Sequence, residues 1–418
     1  MTSAGTSTVT ALPRRRAAML AHSFYPSDVR IRREAVTLHE AGWEVDVFCL
    51  RGPGEAARGL EDGVAVYRVP LGRRRGSRVR YALEYGLAFA ALAASLAVRM
   101  RRRRYAVVQV HTLPDFLVFA AAPARWLGAR LLLDMHEITP EFYRQKYTVA
   151  ASHPVVKVLG VIEQASLGYA DAALTVSDAL RERFEARGAD GGRIALVMNS
   201  ADERLFPCAS GAYLAGAGAP DPLHLVYHGS LLPYYGIDLL IRAMARVAGR
   251  WPFTLDLYGG GEAMDALRTV AQEAGGGGAV RFHGAVPQTS LAPILQRAGG
   301  GVVPTRPGPM LDLSLSNKLL EMACIGMPII ASALPSYRRH LGDDALLYVA
   351  PGDVDALAAG LDGLARMGAP ERAQLAGRAC AAYRRWNWDR QRDVYLGVME
   401  QLRSRGRVHL SRTVENVS

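Results

Sequence analysis

The chain alternates short apolar runs with segments whose apolar residues recur every three to four positions, the rhythm of parallel α/β layers. In the first half Ala17–His22 reads as a buried strand, Val29–Ala41 as a helix capped near Ser27 and stopped at Gly42, and Val45–Leu50 as the next strand. Strands at Val107–His111, Arg130–Asp134, Ala172–Val176 and Ile194–Met198 follow, with a helix over Phe116–Leu127. The turn-rich stretch Ala209–Asp221 (ASGAYLAGAGAPD) interrupts the series, and a second one begins. Its strands are Leu223–His228, Thr254–Tyr258, Val280–His283, Ile329–Ala331 and Leu346–Ala350, with a helix over Gly236–Val247 and the apolar run Gly301–Pro304. The pattern predicts two α/β domains, 17–208 and 222–385, joined by a linker over 209–221. A disordered tail is expected over 1–16, a last helix over 386–403 and a tail over 404–418.

The richest stretch is Ser316–Ser332, SNKLLEMACIGMPIIAS. Ser316 can cap a helix that stops at Gly326, and Pro328 prevents its continuation. Lys318 and Glu321 then share one face of the first turn. A lysine beside a helix N-terminus suits a diphosphate, and a glutamate one turn on can accept hydrogen bonds from ribose hydroxyls. In the first half His111 and His136 follow predicted strands, where the ends of parallel strands present polar groups to ligands, and Asp134, Glu137 and Glu141 cluster around His136. Glu137 and Glu141, four apart at a helix start, suit acceptor hydroxyls or a cap better than a hydrolytic acid pair. No glycine-rich dinucleotide fingerprint follows the first strand, which argues against a nicotinamide enzyme.

Length and composition permit two cores, since the chain has 418 residues of which 50% are hydrophobic. Cys49, Cys208, Cys324 and Cys380 are widely spaced and form no C-x-x-C pair, which predicts neither a disulfide framework nor a zinc ribbon and fits a reducing cytosol. The formal charge of +11 comes chiefly from residues 73–104, which carry ten arginines against one acid, Glu84. Between the arginine clusters Tyr81–Met100 is helical in composition and nearly apolar. It reads either as a helix on an anionic membrane surface or as a core helix with basic ends. No recognition motif accompanies the arginines, so nucleic acid is not expected as a partner.

The second half resembles the nucleotide-sugar site of the family 4 retaining glycosyltransferases with the GT-B fold. The resemblance rests on His228-Gly229-Ser230-Leu231, Tyr235-Gly236-Ile237-Asp238, Tyr258-Gly259-Gly260-Gly261, Phe282-His283-Gly284, Lys318…Glu321 and Gly326…Pro328, in that order. It covers about residues 17–400 and implies two facing Rossmann-like domains, with the segment Trp386–Arg403 crossing back to the first. Donor contacts are implied at Gly229, Ser230, Gly259, His283, Arg306, Asn317, Lys318 and Glu321. Acceptor contacts are expected from His111, Asp115, Glu137 and Glu141, with His136 as the cleft histidine and His22–Arg30 as the first acceptor loop. The chain departs from the family pattern at Ser230 and Tyr235, where basic residues are common, and at Leu313, where the first glutamate of an E-x7-E pair would fall, with Asp312 beside it.

The implied reaction is transfer of a sugar from a UDP- or GDP-sugar to a hydroxyl of a glycan, lipid-linked or small-molecule acceptor, with retention of configuration. Lys318, its helix N-terminus and Arg306 would stabilise the leaving diphosphate, with no metal ion and no cofactor, while Glu321 holds the ribose and His136 contacts sugar or acceptor. A cytoplasmic protein, or one peripheral on the inner membrane face, fits both readings of the apolar helix. Two rival readings are a hydrolysing nucleotide-sugar epimerase and a non-catalytic sugar-nucleotide or glycan binder.

Overall fold

A computed structural model of the protein describes residues 14–72, 78–208, 223–275 and 277–404. The expected linker 209–221, Arg73–Arg75, the start of the N-terminal tail and residues 405–418 of the C-terminal tail lie outside the described residues, as do the side chains of Arg78 and Arg80.

The chain divides into two units that part between Val197 and Met198 and again between Gln391 and Arg392. Residues 198–208, expected in the first domain, therefore go with the second. The first unit contains β1 (Arg16–Phe24), α1 (Val29–Glu40), β2 (Glu44–Leu50), β3 (Arg58–Glu61), β4 (Val64–Val69), α2 (Arg78–Met100) and β5 (Val107–His111). It continues with α3 (Ala122–Trp126), β6 (Arg130–Met135), α4 (Thr139–Tyr147), α5 (Pro154–Tyr169), β7 (Ala172–Thr175), α6 (Asp178–Ala186) and β8 (Ile194–Leu196). Its sheet runs β3-β4-β2-β1-β5-β6-β7-β8 and is parallel except where β3 meets β4. Strand order reverses between β1 and β5, the place where doubly wound sheets present their ligand-binding ends.

Several local departures from the expected elements have plain causes. Arg16, expected in the tail, begins β1 and pairs with Glu44 at 3.2 Å. The cap of α1 is Asp28 rather than Ser27, because its extended backbone lets Oδ1 accept from the Arg30 N–H at 3.3 Å. The helix expected over Phe116–Leu127 is a 3-10 run over Asp115–Ala121, and α-helix begins only beside Pro123, whose missing N–H is tolerated in a first turn. The unanticipated β3–β4 hairpin turns on Asp62 and Gly63, both at positive φ, as a two-residue turn requires.

The helix α2 settles part of the basic run. Ala88, Leu92, Leu96 and Met100 are buried at intervals of four, which makes one face core. Arg99 and Arg103 reach the fully buried Asp46 of β2 at 3.0 and 3.2 Å, and Tyr105 donates to it at 2.6 Å. Leu83, Leu87 and Val98 lie exposed on the other face, beside exposed Arg101, Arg102 and Arg104. One face of the helix is therefore core with basic ends, and the other is apolar and exposed.

The second unit contains β9 (His224–His228), α7 (Ile237–Val247), β10 (Thr254–Tyr258), α8 (Met264–Glu273), β11 (Val280–Gly284), α9 (Gln288–Arg297), β12 (Gly300–Val303) and α10 (Asn317–Ile325). Then come β13 (Ile329–Ser332), α11 (Pro335–Leu341), β14 (Leu347–Val349), α12 (Val354–Arg366) and α13 (Ala369–Arg384). The sheet, β11-β10-β9-β12-β13-β14, is wholly parallel. Leu225, Leu255 and Leu257 of the strands close a core with Leu240 and Ile241 of α7 and Leu361 and Leu364 of α12. A last helix, α14 (Trp388–Ser404), belongs to the first unit from Arg392 onward, where the Tyr395 hydroxyl donates to Gln109 Oε1 at 2.7 Å.

Candidate functional site

In the second unit the loops after β9 and β10 nest against the start of α10. Gly229 N–H donates to the Tyr258 carbonyl at 2.8 Å, and Gly259 N–H to the Gly284 carbonyl at 2.7 Å. Glycine is required here: both residues have positive φ, and a Cβ on Gly259 would lie 1.9 Å from the Gly229 carbonyl oxygen. A Cβ on Gly229 would stand 3.0 Å from Lys318 Cε, so the same glycine makes room for the lysine.

Lys318, in the first turn of α10, is buried, and its ammonium lies 4.1 Å from the Tyr235 ring centroid and 5.0 Å from that of Tyr227. Among the described residues no carboxylate lies within ion-pair distance of it. Burial lowers its pKa to about 8, against the attraction of Glu321. Glu321, pushed up to about 7 by burial, accepts from Gln288 Nε2 at 3.3 Å and lies 3.5 Å from His228 Nδ1. Burial, with the Lys318 charge, holds His228 down at about 3, so that ring is neutral at pH 7. Ser316 stands at the N-cap position of α10, but its side chain makes no cap hydrogen bond, contrary to expectation. The N–H groups of Asn317 and Lys318 thus receive no cap from Ser316, whereas Leu319 N–H donates to the Ser316 carbonyl at 3.1 Å.

Tyr235, at a position where the family often has a cation, faces the lysine and replaces charge with a ring face. Arg306 does not offer its charge to a phosphate: Asp238 takes both of its outer nitrogens, at 2.7 and 2.8 Å. His283 stacks on Tyr258 at 4.4 Å and contacts Asp256 at 2.9 Å, while Asn317 is exposed. Leu313 is half-buried, and Asp312 accepts from Gly308 N–H at 3.3 Å.

In the first unit a polar cluster forms at the ends of β5 and β6. His111 and Asp134 are register partners, and His136 follows Asp134 by two residues on the same face. Asp134 Oδ2 accepts from His111 Nδ1 at 2.8 Å and meets His136 Nε2 at 2.7 Å, out of line for an ideal hydrogen bond. The two rings stack 6.1 Å apart, and His111 Nε2 and His136 Nδ1 are buried without partners. Burial outweighs the Asp134 charge and lowers the His136 pKa, whereas the two imidazoles hold Asp134 well below the usual carboxylate range despite its burial. Gln109, two residues before His111, extends the column to Glu34 of α1, whose pKa burial raises well above normal.

Two imidazoles and a carboxylate within 4.8 Å are a donor set that a divalent metal could use. Both nitrogens, however, crowd one oxygen more closely than the roughly 3 Å or more expected between ligands of a shared metal with bonds of about 2 Å. The spacing suits imidazole–carboxylate hydrogen bonding.

Asp115 accepts from Thr139 Oγ1 at 2.7 Å, and burial pushes its pKa up to about 7. Glu137 is half-buried nearby. Glu141, expected to contact an acceptor, is not brought to the cluster. It is buried between Arg187 and Arg183, and Arg187 also pairs with the buried Glu163 at 3.0 Å, which makes it an internal ion pair. Sequence reasoning missed Gln109 and Glu34. The polar residue at every second position of Val107-Val108-Gln109-Val110-His111, in an otherwise apolar strand, was the available signal.

Comparison with known proteins places both units in known domain families. Residues 27–200 match the glycosyl transferase 4-like domain and residues 222–366 the glycosyl transferases group 1 domain, so that most of the chain is accounted for. A D-inositol 3-phosphate glycosyltransferase of Actinosynnema mirum is 26% identical over 90% of this chain and 92% of its own. One from Thermomonospora curvata is 27% identical over 67% and 68% respectively. Among solved structures, sucrose-phosphate synthase from Thermosynechococcus elongatus superposes with a TM-score of 0.74 at 20% identity, over 93% of this chain and 99% of that one. Anabaena HepE in complex with UDP-glucose gives 0.68 at 17% identity, over 93% and 100%. These structural likenesses carry the fold. The chain belongs to the family 4 glycosyltransferases of GT-B fold and is an enzyme that uses a nucleotide sugar.

Proposed function

We infer that the protein transfers a hexose from a UDP- or GDP-sugar to an acceptor hydroxyl with retention of anomeric configuration, and that a UDP-sugar is the first donor to test. One observation carries this reading: a buried lysine, held by ring faces and no carboxylate, stands beside the uncapped start of α10. Such a place favours a dianionic group. As the bond to the sugar breaks, charge builds on the diphosphate, and Lys318 with the α10 N–H groups stabilises it without a metal ion. Arg306 has no part, being neutralised by Asp238. Glu321 accepts from the ribose hydroxyls. Acceptor contacts are assigned to His136 and His111, whose Nδ1 and Nε2 respectively have no partner among the described residues, and to Asp115 and Glu137 of the same unit. HepE is described with UDP-glucose, and the curated relatives are named for an inositol phosphate, which favours UDP and a small polyol or sugar acceptor.

The test is calorimetric binding of UDP and GDP to the protein and to Glu321→Ala. One nucleotide should bind, about 1–3 kcal/mol more weakly to the variant, the usual cost of losing a charged hydrogen-bond partner. Unchanged affinity in the folded variant would remove Glu321 from the site. Turnover that survives chelation by EDTA, and a product whose anomeric configuration matches the donor's, complete the reading.

The exposed Leu83, Leu87 and Val98 beside Arg101, Arg102 and Arg104 favour a second setting, in which the enzyme works at an anionic membrane surface on a lipid-linked acceptor. Replacing those three arginines, and leaving Arg99 and Arg103 on Asp46, should then abolish co-sedimentation with phosphatidylglycerol vesicles at low salt. Equal sedimentation of variant and wild type would leave the soluble setting.

A further inference from the structure

Three of the four cysteines, distant in sequence, meet in the second unit. Cys208 Sγ lies 3.4 Å from Cys380 Sγ on α13, and Cys380 Sγ lies 3.8 Å from the carbonyl oxygen of Cys324 on α10. Cys324 Sγ donates to the Phe206 carbonyl at 3.1 Å. The fourth, Cys49, is buried in β2 of the first unit, and no disulfide joins any of them. A disulfide needs about 2.05 Å between sulfurs, so the Cys208–Cys380 pair is a small side-chain movement from bonding.

The three thiols are not equivalent. Cys208 is only half-buried, whereas Cys324 and Cys380 are buried. The neighbouring Cys324 and Cys380 thiols, and then the Arg384 guanidinium, whose Nε donates at 3.5 Å, lower the Cys208 pKa below the ordinary thiol range. The same sharing, with burial, pushes Cys324 and Cys380 up. A half-buried thiol thus stands 3.4 Å from a buried one and beside a guanidinium that favours its thiolate form, which is the environment of a reactive cysteine.

We propose that Cys208 and Cys380 form an oxidative modification site, in which Cys208 reacts with a hydroperoxide and Cys380 closes a disulfide upon it. The Cys208 thiolate attacks one oxygen of the hydroperoxide, the O–O bond breaks, and the departing oxygen takes a proton as an alcohol, or as water from hydrogen peroxide. Cys208 is then a sulfenic acid. The Cys380 sulfur attacks the Cys208 sulfur, the S–O bond breaks, and the departing hydroxide takes the Cys380 proton as water. Two thiols have lost two electrons, and the hydroperoxide has gained them. Cys324 keeps its proton on the Phe206 carbonyl and is not consumed.

The experiment is treatment of the fully reduced chain with hydrogen peroxide, with thiols counted after denaturation and disulfide peptides mapped by mass spectrometry. Wild type should lose two thiols, joined as Cys208–Cys380 and restored by dithiothreitol, roughly tenfold faster than the same chain unfolded in urea, where the thiolate is no longer stabilised. Cys380→Ser should stop at a Cys208 sulfenic acid trapped by dimedone, and Cys208→Ser should keep its thiols, while Cys49→Ser behaves as wild type. Retention of all four thiols in the wild type, a bridge through Cys324, or a rate equal to that of the unfolded chain would overturn the proposal, and the wild-type map decides even where a serine variant folds poorly.

Discussion

The polar cluster of the first unit and the charged site of the second are built on opposite principles. Around Asp134 the protein supplies its own partners: two imidazoles surround one carboxylate, and Gln109 ties the column to Glu34. Around Lys318 it withholds them, offering ring faces, a neutral histidine and a carboxylate one turn away. A hydrogen-bonded network fixes geometry and, among the described residues, leaves His111 Nε2 and His136 Nδ1 without partners, which suits orienting a neutral hydroxyl acceptor. An under-neutralised cation costs stability until an anion arrives, which suits a diphosphate whose charge grows during the reaction. Both Lys318 and Glu321 are displaced toward neutrality, to about 8 and about 7, because burial disfavours the charged form of each.

The contrast breaks most readily at Asp134. Asp134→Ala should cost about 3 kcal/mol of stability in urea unfolding, the order expected when one member of a buried charged network is removed. Since the folded pKa of Asp134 lies below its unfolded value, that contribution is present above the ordinary carboxylate pKa and is lost as pH falls below it. The wild-type advantage should therefore shrink in acid. In the second unit the sign on stability reverses. Lys318→Ala removes a buried cation without a carboxylate partner, so folding should change little or improve, while UDP affinity falls by about 2 kcal/mol, the scale of a charge-assisted hydrogen bond. Uridine, lacking the diphosphate, should bind both proteins alike. Equal losses for UDP and uridine would mean that Lys318 shapes the site rather than meets the phosphates.

The pH dependence of nucleotide binding sharpens the comparison at a smaller scale. Above about 8 the unliganded Lys318 is neutral, so UDP must bring a proton with it, and affinity should fall about tenfold per pH unit. Below about 7 Glu321 is protonated and a poorer acceptor for ribose hydroxyls, so affinity should fall on that side as well. Calorimetry at pH 8.5 in two buffers of different ionisation enthalpy should show proton uptake. Identical heats would place the Lys318 titration elsewhere.

The second site was the more legible in the sequence because its parts are local. Lys318, Glu321, Gly326 and Pro328 lie within one helix and turn, and each loop glycine sits at the end of its own strand. The first was legible only in part. His111, Asp134 and His136 show as polar residues closing apolar strands, but Gln109 meets Glu34 across 75 positions and Tyr395 across 286. The i,i+4 argument for Glu141 failed because a helix face says nothing of what packs against it, and Arg187 claimed that carboxylate. The counter-ion of two members of the arginine run, Asp46, was also hidden in an apolar strand. Cysteine spacing likewise concealed three thiols that meet only after folding.

The finest distinction lies in how helices begin. Ser177 caps α6 by accepting from Leu180 N–H at 3.2 Å, and Asp28 caps α1, so these helices satisfy their own first turn. Ser316 occupies the same position on α10 without doing so. Replacing a working cap by alanine costs about 1 kcal/mol, and Ser177→Ala should show that loss in thermal unfolding. Ser316→Ala removes no cap, only the bond between its hydroxyl and Tyr337, and should cost about 0.5 kcal/mol, less than Ser177→Ala. A loss equal to that of Ser177→Ala would show that the α10 N–H groups are already engaged by the serine. The start of that helix would then be closed to a phosphate, and Lys318 would have to carry the leaving charge without it.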